Sequence, residues 1–179
     1  MKSLWKSLPF ASFLLLVVLG ACTSTKFSAV WKDDTYEGHP EKILVISTFQ
    51  NPANRRLFED DLVKSLKDRG TNAVVSYTVM PDPAVSDKNV IALHAKELGA
   101  DAVLINRPLG TRMDETGGVF GVYEDLYINT QTDVYDVKSN RLILSATAET
   151  WIRQDVPYAT HIQSYTKDLV QKLSQKGLF

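Results

Sequence analysis

The chain has 179 residues, 44% hydrophobic and 23% charged, with 20 basic and 21 acidic side chains and a net charge of −1. That composition excludes a disordered polar chain and suffices for one sizeable core, while the near-neutral charge argues against nucleic acid and against a polybasic grip on anionic lipid. A single cysteine, Cys22, rules out an internal disulfide.

Residues 1–21 read as a signal peptide. Lys2 and Lys6 form a positive start, and Phe10 to Leu19 form an apolar run of about ten residues, shorter than the roughly 20 needed to span a bilayer. Leu19-Gly20-Ala21-Cys22 then resembles a bacterial lipobox: an aliphatic residue, small residues and a cysteine whose thiol can carry a thioether-linked diacylglycerol. Cys22 is therefore the expected lipidation site and, after processing, the N-terminus. A membrane is the expected partner through its acyl chains, because stable anchoring takes two or more chains. Thr23, where Asp would favour the inner membrane, implies by the same resemblance the periplasmic face of the outer membrane. In a Gram-positive host the signal implies the outer face of the cell membrane. Residues 22–41 are polar and without sustained periodicity, and are expected to be a tether, with Trp31 and Tyr36 able to dock on the domain. Asp33, Asp34 and His39 lack metal-ligand spacing, so no metal is expected there.

Residues 42–179 read as a single α/β domain. Lys42 to Phe49 is a continuous apolar run, the pattern of a strand buried on both faces. A helix from about Asn54 to Asp68 carries Phe58, Leu62 and Leu66 on one stripe, and Gly70 stops it. Ala73 to Val79 is a second strand, followed by a loop at Pro81 and Pro83. A second helix, about Asp87 to Leu98, places Val90, Ile91, His94, Ala95 and Leu98 on one face, with His94 read as a packed or boundary residue. Asp101 to Ile105 is a third buried strand. Gly110 to Gly121 is read as a glycine-rich polar loop. Val122 to Tyr135 alternates, with Leu126, Ile128 and Val134 on one face and Tyr127, Asn129, Gln131, Asp133 and Tyr135 on the other. After a turn, Leu142 to Ile152 returns with Leu142, Leu144, Ala146 and Ala148 on the apolar side, making a hairpin. A last helix, about Ala159 to Lys176, shows Ile162, Tyr165, Leu169 and Leu173. The order βαβαβββα predicts one mixed-sheet sandwich with its helices largely on one face.

Tyr135-Asp136-Val137-Lys138-Ser139-Asn140-Arg141-Leu142-Ile143-Leu144-Ser145-Ala146 resembles a hairpin of several periplasmic lipoproteins, with Leu144 where Trp is usual. These are the curli-secretion lipoprotein, the penicillin-binding-protein activator lipoproteins and the N-terminal domain of the Tol-system propeller protein. The chain is also similar to small uncharacterised proteobacterial lipoproteins through Asn54-Arg55-Arg56-Leu57-Phe58-Glu59. The resemblance implies a non-enzymatic envelope module that docks on other proteins.

The sequence carries no nucleophile elbow, zinc-protease helix or phosphate loop, and no cofactor is expected. Gly117-Gly118-Val119-Phe120-Gly121 precedes a strand and not a helix, so it reads as a flexible hairpin approach and not as a phosphate cradle. Around it, Arg107, Arg112, Asp114 and Glu115 read as a solvated loop or a partner-specific tip. The polar face of the hairpin, with Tyr127 and Tyr135 and then Ile143, Thr147, Glu149 and Trp151, suits a protein partner unless a helix or Trp31 covers it. The expected role is thus a protein-binding or envelope-assembly module. The alternatives are a carrier of a small apolar ligand or lipid, which needs an apolar cavity, and a hydrolase, which needs Ser47 or Ser76 beside His94 or His161.

Overall fold

The computed structural model of the protein describes residues 24–80, 87–118 and 121–179, so the leader, Cys22 and Thr23 lie outside the described residues. The elements are β1 (Thr25–Lys32), β2 (Lys42–Ser47), α1 (Pro52–Lys67), β3 (Asn72–Val75), a 3-10 turn (Ser76–Thr78), α2 (Lys88–Glu97), β4 (Ala102–Gly118), β5 (Gly121–Asp136), β6 (Leu142–Ile152) and α3 (Tyr158–Gln175). They build one six-stranded sheet in the order β1-β6-β5-β4-β2-β3. The β3-β2-β4 half is parallel and the β4-β5-β6-β1 half is antiparallel. The fold is thus the expected mixed α/β sheet with one strand more.

Local chemistry sets the helix limits. Asn51 caps α1, its Oδ1 accepting from the Ala53 and Asn54 amides at 2.9 and 3.2 Å, and Pro52 fills the first helical position where no N–H is needed. Asp87 does the same for α2, accepting from the Asn89 amide at 2.8 Å. Gly70 follows α1 at φ +84°, a left-handed turn that a side chain would strain.

Two helices lie on the rear of the sheet and one on the front. Phe58, Leu62 and Leu66 of α1 and Ile162, Tyr165, Leu169 and Leu173 of α3 pack against Ile43, Val45, Leu104, Val134 and Ala146. On the front, Ile91 and Ala95 of α2 cover Leu44, Ile46 and Val103. A buried polar seam runs under α3. The Tyr165 hydroxyl meets Asn106 Nδ2 at 2.8 Å and Thr130 Oγ1 at 2.9 Å, and burial pushes the Tyr165 pKa up.

Four expectations are corrected. Residues 25–32 of the expected tether are the edge strand β1, paired antiparallel with β6 from Thr25–Thr150 to Lys32–Leu144. A register shift between Phe27 and Ala29 puts Phe27 and Val30, three apart, both against the core, which breaks the period-two alternation that marks a strand. Just past the strand, Asp33 is buried with its carboxylate on the Thr35 amide and hydroxyl at 2.9 and 2.7 Å and on Arg141, and the Thr35 hydroxyl holds its pKa below the usual range. Second, the expected polar loop from Gly110 continues β4, paired residue for residue with β5 down to Gly118–Gly121. Pro108 and Gly110 flank a bulge that leaves Leu109 exposed, and past it the strand is polar on both sides apart from an exposed Met113. Third, Ala73 to Val79 is a strand only to Val75, because the next residues turn to bring two amides onto Glu59. Fourth, Ile143 is buried, because a register irregularity between Val134 and Tyr135 pairs Tyr135 with Leu142 and turns Ile143 inward.

Glu59 is fully buried and ties α1 to the sheet. Oε1 accepts from Ser47 N at 3.0 Å, Arg55 Nε at 3.0 Å and Ser76 Oγ at 2.7 Å, and Oε2 accepts from Ser76 N at 2.7 Å and Tyr77 N at 3.2 Å. Arg55, only 3% exposed, also donates to Ser76 Oγ at 2.8 Å. Removing one partner of a buried pair strands the other charge, at about 3–5 kcal/mol. Glu59→Ala is expected to lose that much stability in urea unfolding, whereas an exposed control, Asp68→Ala just past the end of the same helix, stays close to the parent.

Candidate functional site: the uncovered lower half of the sheet

Let the Gly118–Gly121 end of the hairpin be the lower end. On the front face α2 covers the upper part of β2 and β4, and no helix among the described residues covers the lower part of β4, β5, β6 and β1. Across this bare face, Arg112, Tyr127 and Trp151 lie in one register row of β4, β5 and β6. The Arg112 guanidinium stacks 4.2 Å above the Tyr127 ring. Its Nε and Nη2 donate to the two Glu149 oxygens at 3.1 and 3.0 Å, and its Nη1 donates to Asp114. Glu149, and after it Asp114, raise the arginine pKa further above its ordinary value. The fork matches a carboxylate bidentately and its flat face suits an aromatic ring, so one side chain fixes three neighbours.

Trp151 is 39% exposed and donates Nε1–H to Asp125 Oδ1 at 2.9 Å. Arg153 lies 5.9 Å from its ring centre and pairs with Asp155. Between Asp125, Trp151, Arg153 and Asp155 is an open hollow of about 510 Å³. Below it Asp114 faces Asp125 and Glu115 faces Glu124 across the two strands. Arg112 answers Asp114 and the Trp151 N–H answers Asp125, whereas Glu115 and Glu124 stand as like charges directly opposite, an unfavourable pairing at this end.

The row unites three of the four residues expected at a partner surface. Tyr135 is half-buried eight residues up β5, about 27 Å away along the strand, next to Val103 and Leu142. Trp31, which was expected either to dock or to cover this face, is 51% exposed beside Ser145 on β1 and leaves the row uncovered. Sequence reasoning missed the Glu149–Arg112–Tyr127 clamp and the Asp125 partner of Trp151. Both depend on β4 extending past Gly110.

The groups expected of a hydrolase lie elsewhere. Ser47 and Ser76 serve the Glu59 network, His94 pairs with Glu97 at 3.1 Å, and His161 meets the Arg153 carbonyl at 3.1 Å. The rear cleft bounded by Phe49, Ile128, Tyr158 and Ile162 has a volume of about 20 Å³, room for about one water and not for an apolar ligand. No group of three His, Cys, Asp or Glu side chains among the described residues is placed to hold a metal ion. No described helix is long and apolar enough to cross a membrane.

No family model matches the sequence, and no curated protein matches it. Among solved structures, the chain is similar to PelC from Paraburkholderia phytofirmans, solved as a dodecamer, with 14% identity and a TM-score of 0.55 over 83% of this chain and 96% of that one. A point variant of the same PelC dodecamer, in another crystal form, matches at 15% identity and a TM-score of 0.54, over 81% of this chain and 96% of that one. The lipoprotein GNA1162 from Neisseria meningitidis matches at 11% identity and a TM-score of 0.48, over 76% and 99%. At these identities the likeness to PelC is one of fold.

A second concavity, about 260 Å³, lies between β1 and α3 and is lined by Thr25, Phe27, Asp168, Gln171, Lys172 and Gln175. Asp168 Oδ2 is buried there without a hydrogen-bond partner, and desolvation raises the carboxyl pKa. A carboxyl whose folded pKa exceeds its unfolded value penalises the folded state at neutral pH, and the penalty fades as pH falls through the folded pKa towards the unfolded one. Asp168→Asn is therefore expected to raise the thermal midpoint at pH 7, with the gain shrinking as the pH is lowered into the carboxylate range. A gain that grows on acidification contradicts this.

Proposed function

We propose that this chain is a lipid-anchored, non-catalytic module of the bacterial envelope that holds a protein partner on the bare front face around Arg112, Tyr127 and Trp151. The observation that carries the reading is the clamp itself. An uncovered sheet face presents two aromatic rings, and one arginine already fixes Tyr127. Aromatic side chains held in place give large contact area at low entropic cost, which suits the centre of an interface. The facing Glu115 and Glu124 below the row favour a partner surface bearing lysine and arginine. The lipobox at Cys22 supports attachment to a membrane, and Thr23 supports the periplasmic face of the outer membrane. Anchoring confines the module to a surface and raises its effective concentration near partners there. The hairpin resemblance to periplasmic docking lipoproteins supports the same class. Ser47 and Ser76 being committed to the Glu59 network supports a role without catalysis.

A second copy of the chain is a second reading of the partner, favoured by the likeness in fold to a chain solved as a dodecamer. The two readings separate by the mass of the crosslinked product. Combining Tyr127→Ser with Trp151→Ser, in a protein that keeps its circular dichroism and unfolding midpoint, is expected to abolish most in-cell crosslinking to the partner. Undiminished crosslinking in that folded variant contradicts the proposal.

A further inference from the structure

The start of β1 fixes where a lipid anchor on Cys22 leaves the domain. The Trp151 amide donates to the Ser24 carbonyl at 2.8 Å, and Thr25 pairs with Thr150. Cys22 is two residues before Ser24, a reach of at most about 7 Å. Acyl chains on Cys22, as proposed above, are by that covalent reach held close to Ser24 and so to Trp151. From Thr25 back to Ser24 the chain heads the same way as the hairpin, whose strands continue from the Tyr127 row to Gly118 and Gly121, about 20 Å farther down. An anchor at this point and a hairpin descending past it cannot both be held clear of a bilayer surface.

We infer that the lower end of the sheet rests tilted on the lipid surface, so that the β4–β5 hairpin and the sheet edge beside Trp151 both meet the headgroup layer. This rests on the anchoring part of the reading above and not on its protein partner. Trp and Tyr favour the membrane–water boundary, where an apolar ring and a polar edge are both accommodated. Trp151 has that form, with an exposed ring and its N–H on Asp125. Met113, 69% exposed, adds apolar surface one row lower on the opposite face of the hairpin. The carboxylates of Glu115 and Glu124 lie three rows below Trp151, about 10 Å farther down the strands, so the surface that fits this end is one of amine-bearing zwitterionic headgroups and not an anionic one. Trp31 is placed as an internal reference: it lies six residues up β1 from Thr25, about 20 Å from the anchor end.

The test uses the full acylated chain in vesicles of phosphatidylethanolamine and phosphatidylcholine carrying a headgroup nitroxide that quenches tryptophan. Removal of the leader takes Trp5, so Trp31→Phe leaves Trp151 as the reporter and Trp151→Phe leaves Trp31. Quenching of Trp151 several-fold stronger than that of Trp31 is the expected result. Equal quenching, or stronger quenching of Trp31, in a chain that floats with the vesicles overturns the orientation and leaves the anchor standing. A chain that carries no acyl group and stays out of the vesicles removes the anchor, and the orientation falls with it. Should Trp151→Phe fail to fold, Met113→Cys offers a second readout, since the Cys22 thiol is taken up in its thioether. An environment-sensitive dye at position 113 is expected to shift to the blue on vesicles, and an unshifted dye on floated protein overturns the placement.

Discussion

A mismatch in length shapes this molecule. α3 has 18 residues and spans about 27 Å, whereas β5 has 16 residues and runs about 50 Å. Helices of that length cover only part of a β4–β5 ladder of that length. Where the ladder is covered it carries Leu104, Val134 and the buried Asn106–Thr130–Tyr165 seam. Where it is bare it is largely polar and is held together by cross-strand contacts, among them Arg112 bridging Glu149 and Tyr127.

The buried Glu59–Arg55 pair acts at the other end of the same problem. It fixes α1 over the C-terminal ends of β2 and β3, and α3 packs beside α1 against the antiparallel strands. With both rear helices committed and α2 confined to β2 and β4, the lower front face is left without cover. The bare row and the place where the chain enters the sheet share this lower end, since β1 closes on β6 beside Trp151. The entry of the chain into the sheet, the aromatic row and the carboxylate hairpin therefore occupy one end of the domain.

Much of this was legible in the sequence where periodicity was clean. Phe58, Leu62 and Leu66 read as a core stripe and are fully buried, and the alternation of β5 and β6 placed Tyr127 and Trp151 on one face, where they are direct register partners. Two strands were hidden for identifiable reasons. β1 is masked by the bulge that sets Phe27 and Val30 three apart, and the lower part of β4 by a composition, Gly-Thr-Arg-Met-Asp-Glu, that a loop shares with a two-sided polar strand. Glu59 left a readable signal in its spacing: it lies on the Leu62–Leu66 stripe, with Arg55 one turn before it, so a charged pair was placed inside the apolar stripe. The clamp at Arg112 could not be read, because its partner Glu149 is 37 residues away and meets it only once β4 extends past Gly110.

The central claim is that the lower half of the hairpin is the working surface. Amide hydrogen exchange, compared between the purified domain and the acylated protein in its native envelope membranes, tests it most directly. The account predicts slower exchange in the envelope for residues 109–118 and 121–129, with α1 and α3 unchanged. Protection appearing on the outer faces of α1 and α3, with the hairpin exchanging as in the free domain, would contradict it.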